Sequence, residues 1–255
     1  MTGLAAPGTA WVVGADGGIG RACVDRLGAG GWRVHGSDRP DEDVTALGTA
    51  ESVAGRLAAE GGFRAAVHTI GMSGRRLGDG PVGQCTDEGW DEVLRVDLTS
   101  AFRFLRACLR HAEDGASIVL IGSALASSLD ESFLTAAYRV AKAGLVPLAE
   151  AAAFEGAGRG IRVNVVAPGL VDTPMARRAL TDPAIRTRFP SLMPLTRRPA
   201  SAEEVAAAVA WLTSPDAPQT TAAVIPVDGG WHLRASSPAP EAQQASSPTP
   251  EEHDR

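Results

Sequence analysis

Six short stretches of the chain are rich in β-branched and other apolar residues: 11–14, 32–37, 65–70, 117–121, 162–167 and 223–227. Most run nearly continuously rather than alternating with polar positions, the pattern of parallel strands covered on both faces. Longer segments rich in Ala and Leu lie between them and predict helices over 18–27, 49–60, 87–111, 136–155 and 202–212. The last of these opens with "SAEE", a serine followed three positions later by an acid, which is a capping sequence. Unbroken strand-helix alternation predicts an α/β domain with one doubly wound parallel sheet flanked by helices. A length of 255 residues suits such a domain and is ample for a large core.

The C-terminal end departs from this pattern. From Ser236 the chain reads "SSPAPEAQQA" and then "SSPTPEEHDR", a near-repeat with no large apolar side chain. Such a segment cannot bury enough surface to offset its ordering entropy. Residues 1–234 are therefore expected to form the domain and 235–255 a disordered tail. The net charge of −6 argues against a general nucleic-acid binder. No apolar run reaches the roughly 18 residues needed to cross a membrane. The start of the chain lacks the basic residues and long apolar core of a secretory signal. Cys23, Cys85 and Cys108 are widely separated and lack metal-ligand spacing, so no metal is expected and a reduced, cytoplasmic protein is the simplest reading.

Candidate chemistry begins after the first strand, where "VGADGGIG" places glycines at Gly14, Gly18 and Gly20. Glycines between a strand and a helix let the backbone approach a pyrophosphate, which the helix N-terminus stabilises. Asp38 follows eighteen residues after Gly20, at the end of the second strand, where a carboxylate binds ribose hydroxyls. Its charge repels a 2′-phosphate and favours NAD, and "DRPDED" surrounds the one opposing cation, Arg39, with acids. A second feature is "YRVAK", which holds Tyr138 and Lys142, the sole tyrosine and sole lysine in a chain with 24 Lys and Arg together. On a helix, residues four apart share one face. An ammonium held near a phenol favours the phenolate and draws its pKa down from roughly 10 toward neutrality.

The Gly-x-x-x-Gly-x-Gly spacing together with "YRVAK" resembles the short-chain dehydrogenase/reductase family, over about residues 9–233. The resemblance implies a Rossmann-type sheet and an oxidoreductase that interconverts a secondary alcohol and a ketone. It makes Tyr138 the acid/base and Lys142 its partner, which also binds the nicotinamide ribose. The third member is a serine after the fourth strand: Ser123 matches the motif best, with Ser127 and Ser128 as alternatives. "DV" at Asp43 and Val44 resembles the adenine-contacting pair. "HTIG" ends in Gly71, which keeps a tight approach to the cofactor, while His68 is expected to be structural. "IRVNVVAPGLVDTPM" resembles the segment along the nicotinamide and brings in Pro168, Gly169, Val171 and Thr173, with Ile19 from the glycine loop.

The chain also departs from the family plan. Four residues separate Asp38 from Asp43, too few for a helical crossover, which needs ten or more. The helix after strand two is therefore expected to be missing and the family's third strand reduced or absent, leaving six strands. Asp97 occupies the place of the family's central-helix Asn. Its side-chain oxygen can still support a water-mediated proton relay to Lys142, but its charge alters the local field. Substrate contacts are expected from residues 72–76, 124–135 and the lid 174–199, with Leu125, Met175, Phe189 and Met193 as an apolar pocket. The family also implies a homotetramer or homodimer. Rival readings are an NADPH-dependent oxoacyl-type ketoreductase, a sugar-nucleotide epimerase, whose glycine spacing and larger C-terminal domain this chain lacks, and a relative retired to nucleotide binding.

Overall fold

A computed structural model describes residues 7–233, so the tail expected over 235–255 lies outside the described residues. Among the described residues six strands form one parallel sheet in the order β2-β1-β3-β4-β5-β6. They are β1 (Thr9–Val13), β2 (Arg33–Ser37), β3 (Ala65–His68), β4 (Ser117–Ile121), β5 (Arg162–Pro168) and β6 (Val224–Val227). Every residue of β1, β3 and β4 is buried, which explains the continuous apolar runs. The alternate side chains divide between two cores. Ala10 and Val12 of β1 face α1 (Gly18–Ala29) and α9 (Ala202–Thr213). Trp11 and Val13 face α2 (Thr49–Ala59), α4 (Ser100–His111) and α5 (Ala136–Gly156). The buried Trp11 indole donates to Ser37 Oγ at 2.8 Å, so its N–H is not stranded in the core.

β2 is one edge of the sheet, with β6 at the other. Residues 38–48 run in turns with neither helix nor strand, as the short Asp38–Asp43 spacing requires. Glu42 folds back over this edge, accepting from Ser37 Oγ at 2.5 Å and facing His35 Nε2 at 2.8 Å, and it pairs with Arg56. Charged side chains of this kind discourage another strand from adding to an open edge.

The segment expected as one helix over 87–111 is instead α3 (Asp87–Val93), a π-helical turn (Leu94–Thr99) and α4. The extra residue per turn rotates Asp97 into the interior, where it is fully buried. Beyond β5 come three short lid helices, α6 (Arg177–Thr181), α7 (Pro183–Arg186) and α8 (Phe189–Leu192). Ser201 and Glu204 close the capping box read from "SAEE" at the start of α9. No helix among the described residues is long and apolar enough to cross a membrane.

Candidate active site

The chain leaves β1 toward β2 on one side and later places β3 on its other side, so the carboxyl ends of β1 and β3 flank a topological switch point. Gly14 turns the backbone there with φ +80°. A Cβ on Gly20 would lie 1.9 Å from Gly14 O, so the third glycine is demanded by contact between loop and helix. Thr69, just past the end of β3, buttresses this loop, donating to Val13 O at 2.8 Å and Gly14 O at 3.0 Å. The N-terminus of α1 has no side-chain cap and no acid in its first turn. Its free amides and positive end are left for an anion.

A cavity of about 770 Å³ opens at the carboxyl ends of β3, β4 and β5. Ser123, Tyr138 and Lys142 line it, together with Ile19, Gly71 and the Pro168–Gly169, Val171 and Thr173 positions of the segment after β5. Ser123 is buried and accepts from Leu125 N at 3.1 Å, which fixes its rotamer. Ser127 and Ser128 turn back to Ala124 O at 3.4 and 2.8 Å and do not line the cavity. Leu125 and Met175 also line it, but Phe189 and Met193 do not. Those two residues pack behind it with Leu192 and Trp231, because the lid helices turn their apolar faces inward on one another. Trp231 itself also reaches the cavity, a position that no local pattern in the sequence signalled.

Lys142 is almost wholly buried, and its Nζ donates to Ile121 O at 3.2 Å and Ile70 O at 3.3 Å. Nζ lies 5.8 Å from the Tyr138 ring centroid and 3.5 Å from Asp97 Oδ2. The geometry at Asp97 is that of an ion pair rather than an aligned hydrogen bond, since Oδ2 has no hydrogen-bond partner while Oδ1 accepts from Met72 N at 2.8 Å. Burial pushes the Asp97 carboxyl up to about 6, against the pull of Lys142 and the Met72 amide; the charge of Asp79 adds to the rise. Gly71 leaves room for the pair, because a Cβ there would sit 3.0 Å from Nζ and 3.3 Å from Oδ2.

Burial also raises the Tyr138 phenol above its ordinary value, the reverse of the net lowering that its lysine neighbour suggested. Lys142 does draw it down and so does a side-chain hydrogen bond with Ser123, but the Asp97 charge pushes it further up. His68 is neutral: burial and the Lys142 charge lower its pKa to about 3. Its Nε2 meets Ser100 Oγ at 2.9 Å inside the core, a structural placement. The first turn of α5 is held from a distance, with Asp79 accepting from Ala137 N at 3.0 Å and Tyr138 N at 3.1 Å.

Asp38 lines a second cavity, of about 420 Å³, on the other side of the glycine loop. Its carboxylate accepts from Asp16 N at 2.8 Å and Arg39 N at 2.7 Å, fastening the loop to the end of β2. Asp43 and Val44 line neither cavity. Asp43 accepts from Thr45 N and Oγ1 at 2.9 and 2.6 Å, and Val44 is packed into the core against α2.

Known proteins are similar to this chain in sequence and fold. A family described as Enoyl-(Acyl carrier protein) reductase matches residues 13–232. The chain is 34 % identical over 180 residues to the Short-chain dehydrogenase/reductase ABA4 of Pyricularia oryzae, a match that covers 70 % of this chain and 66 % of that protein's length. It is 33 % identical over 245 residues to the 3-oxoacyl-(acyl-carrier-protein) reductase FabG of Escherichia coli, covering 88 % of this chain and 97 % of the other. The fold matches the crystal structure of 3-oxoacyl-(acyl-carrier protein) reductase from Brucella melitensis in complex with NAD with a TM-score of 0.81 and 25 % identity, over 91 % of this chain and 99 % of that one. With the family matched along nearly all of the described residues, the chain belongs to the short-chain dehydrogenase/reductase family.

Proposed function

We propose that this oxidoreductase is NAD-dependent and interconverts a secondary alcohol and a ketone of modest size, with Tyr138 as the acid/base. The observation that carries this reading is the convergence of Ser123, Tyr138 and Lys142 on one cavity at the strand ends. The residues fit a dinucleotide, since the uncapped N-terminus of α1 and its side-chain-free glycines form a cradle for a pyrophosphate. Gly14, Gly18, Ile19 and Gly20 would hold that group and Asp38 the adenosine ribose, whereas Asp43, turned to Thr45, and Val44, packed into the core, stand outside both cavities. Tyr138 and Lys142 would hold the nicotinamide ribose, with Gly71, Pro168, Gly169, Val171 and Thr173 along the ring.

When bound, the nicotinamide supplies or accepts the hydride. The chain supplies everything else. Ser123 Oγ orients the substrate oxygen, and Tyr138 passes a proton to or from that oxygen. Lys142, pinned by two carbonyls, favours the phenolate. Asp97, itself held by the Met72 amide, faces the ammonium from the interior. NAD is favoured over NADP because the cavity beside Asp38 carries four carboxylates, Asp16, Asp38, Asp41 and Glu42, against Arg21 and Arg39. Arg21 is already paired with Asp16 at 2.7 Å. Arg39 gives the NADP reading its one foothold, as it lines the same cavity. The test of the acid/base is Tyr138→Phe, assayed by coenzyme reduction on a panel of secondary alcohols. Turnover is expected to fall at least about a hundredfold while coenzyme affinity survives. Turnover near wild type would remove Tyr138 from the chemistry.

A further inference from the structure

The large cavity has an unbalanced charge. Arg75 and Arg76 enter it from the loop after β3, and Arg177 and Arg178 from α6, yet among the described residues no Asp or Glu side chain lines it, in a protein with 30 acids. Two of the guanidiniums are held together: Arg178 donates to Ser132 O at 2.8 Å and Arg75 to the same oxygen at 3.4 Å. Burial and the Arg178 charge hold the Arg75 guanidinium below its usual pKa, as expected for like charges brought close. Asp79, whose charge reaches Arg75, is already bonded to the α5 amides. The loop that gathers these groups is itself fixed, because Arg188 pairs with Asp130 at 2.5 Å and donates to Ser132 Oγ at 2.5 Å. Arginine is common in this chain, so its presence alone decides nothing. What needs an account is a pair of like charges converging on one carbonyl, in a cavity whose lining carries no carboxylate and which Tyr138 also lines. Beside the arginines the lining is apolar: Arg178 lies 5.9 Å from the Phe133 ring centroid, and Phe133 packs edge-on to Trp231, which also lines the cavity.

Building on the reading of this cavity as the substrate site, we propose that its substrate is a small hydroxy or oxo compound bearing a carboxylate or phosphate, whose anion seats on Arg75 and Arg178 while an apolar spacer crosses Phe133 and Trp231. Guanidinium forks recognise both anions through paired hydrogen bonds.

The probes are ω-carboxy methyl ketones, beginning at levulinate, each compared with its methyl ester and with the matching alkyl phosphate. Binding to the coenzyme-saturated protein is measured by calorimetry, and turnover in parallel. The anionic members are expected to bind at least about tenfold tighter than the esters, and the double variant Arg75→Gln/Arg178→Gln to erase that preference. The carboxylate and phosphate arms identify which anion fits better. Equal binding of acid and ester, no binding of either, or a preference that survives the double variant overturns the inference. So does a double variant that weakens coenzyme affinity and leaves the preference in place, since the arginines would then serve the dinucleotide pyrophosphate. Selective binding of the anions without turnover would instead refute the dehydrogenase reading and leave the anion site standing.

Discussion

Replacing Asp97 with asparagine removes one charge from the interior and almost nothing of the shape. The carboxyl is fully buried, and its folded pKa of about 6 stands above the ordinary 3.8. A raised pKa means that the folded protein holds the proton more tightly than the unfolded chain does. The stability linked to this group is therefore complete below the unfolded value and is lost as pH rises through the folded one. The gap from 3.8 to about 6 corresponds to about 3 kcal/mol. The asparagine amide has no such proton to lose. The stability of wild type minus that of Asp97→Asn should thus fall by about 3 kcal/mol between about pH 4 and about pH 7. Urea unfolding of the apo protein, followed by tryptophan fluorescence at steps across that range, measures the difference. A loss common to every pH would report only that Lys142 has been left without its counter-charge, 3.5 Å away. A difference that stays flat, or that grows toward neutral pH, refutes the assignment. The same substitution bears on chemistry. The Asp97 charge opposes the phenolate, so asparagine should move the rising limb of the alcohol-oxidation profile to lower pH. An unmoved limb would show that the charge does not reach the tyrosine.

Other substitutions probe the remaining parts. Asp38→Ala should bring the NAD and NADP values of kcat/KM closer by about tenfold or more, measured with one substrate; wild-type preference for NADP would sink the coenzyme assignment, and an unchanged ratio its mechanism. Gly71→Ala should fold, because the crowding falls on Lys142 Nζ and Asp97 Oδ2 rather than on backbone, yet lose turnover about tenfold or more as the pair is displaced; full activity would show that the pair need not stay where it is. Exposed Phe102 on α4 and Val140 and Phe154 on α5 give those helices an apolar outer face, and light scattering is expected to report a dimer or tetramer rather than a monomer.

Much of this molecule is written in local patterns. Strands β1, β3, β4 and β5 were legible because burial on both faces leaves continuous apolar runs, and the turns over residues 38–48 followed from counting residues between Asp38 and Asp43. Tyr138 and Lys142 were legible because a helical spacing of four needs no tertiary information. Choosing Ser123 over Ser127 and Ser128 depended on a family motif, and the reason for it lies in a short turn that bends the later two serines back to Ala124 O. What the sequence hid depends on distance. A π turn differs from an α turn by one residue, too little to disturb the apolar period of 87–111, yet it carries Asp97 inward. Phe189 and Met193 have the character of pocket residues, but only packing decides which side of a lid they face. The direction of the Tyr138 shift was hidden as well, because a neighbouring cation can be read from spacing whereas desolvation cannot.

Asp79 ties two segments that line the large cavity to one point. It belongs to the segment that carries Arg75 and Arg76, and it grips the first turn of the helix that carries Tyr138, where Thr135 provides no cap of its own. Gly80, its neighbour, receives Ala136 N at 2.8 Å. The loop and the helix therefore cannot shift independently. If an anion seats on the arginines as proposed, a pull on their loop would be transmitted through Asp79 and Gly80 to the turn on which Tyr138 is mounted.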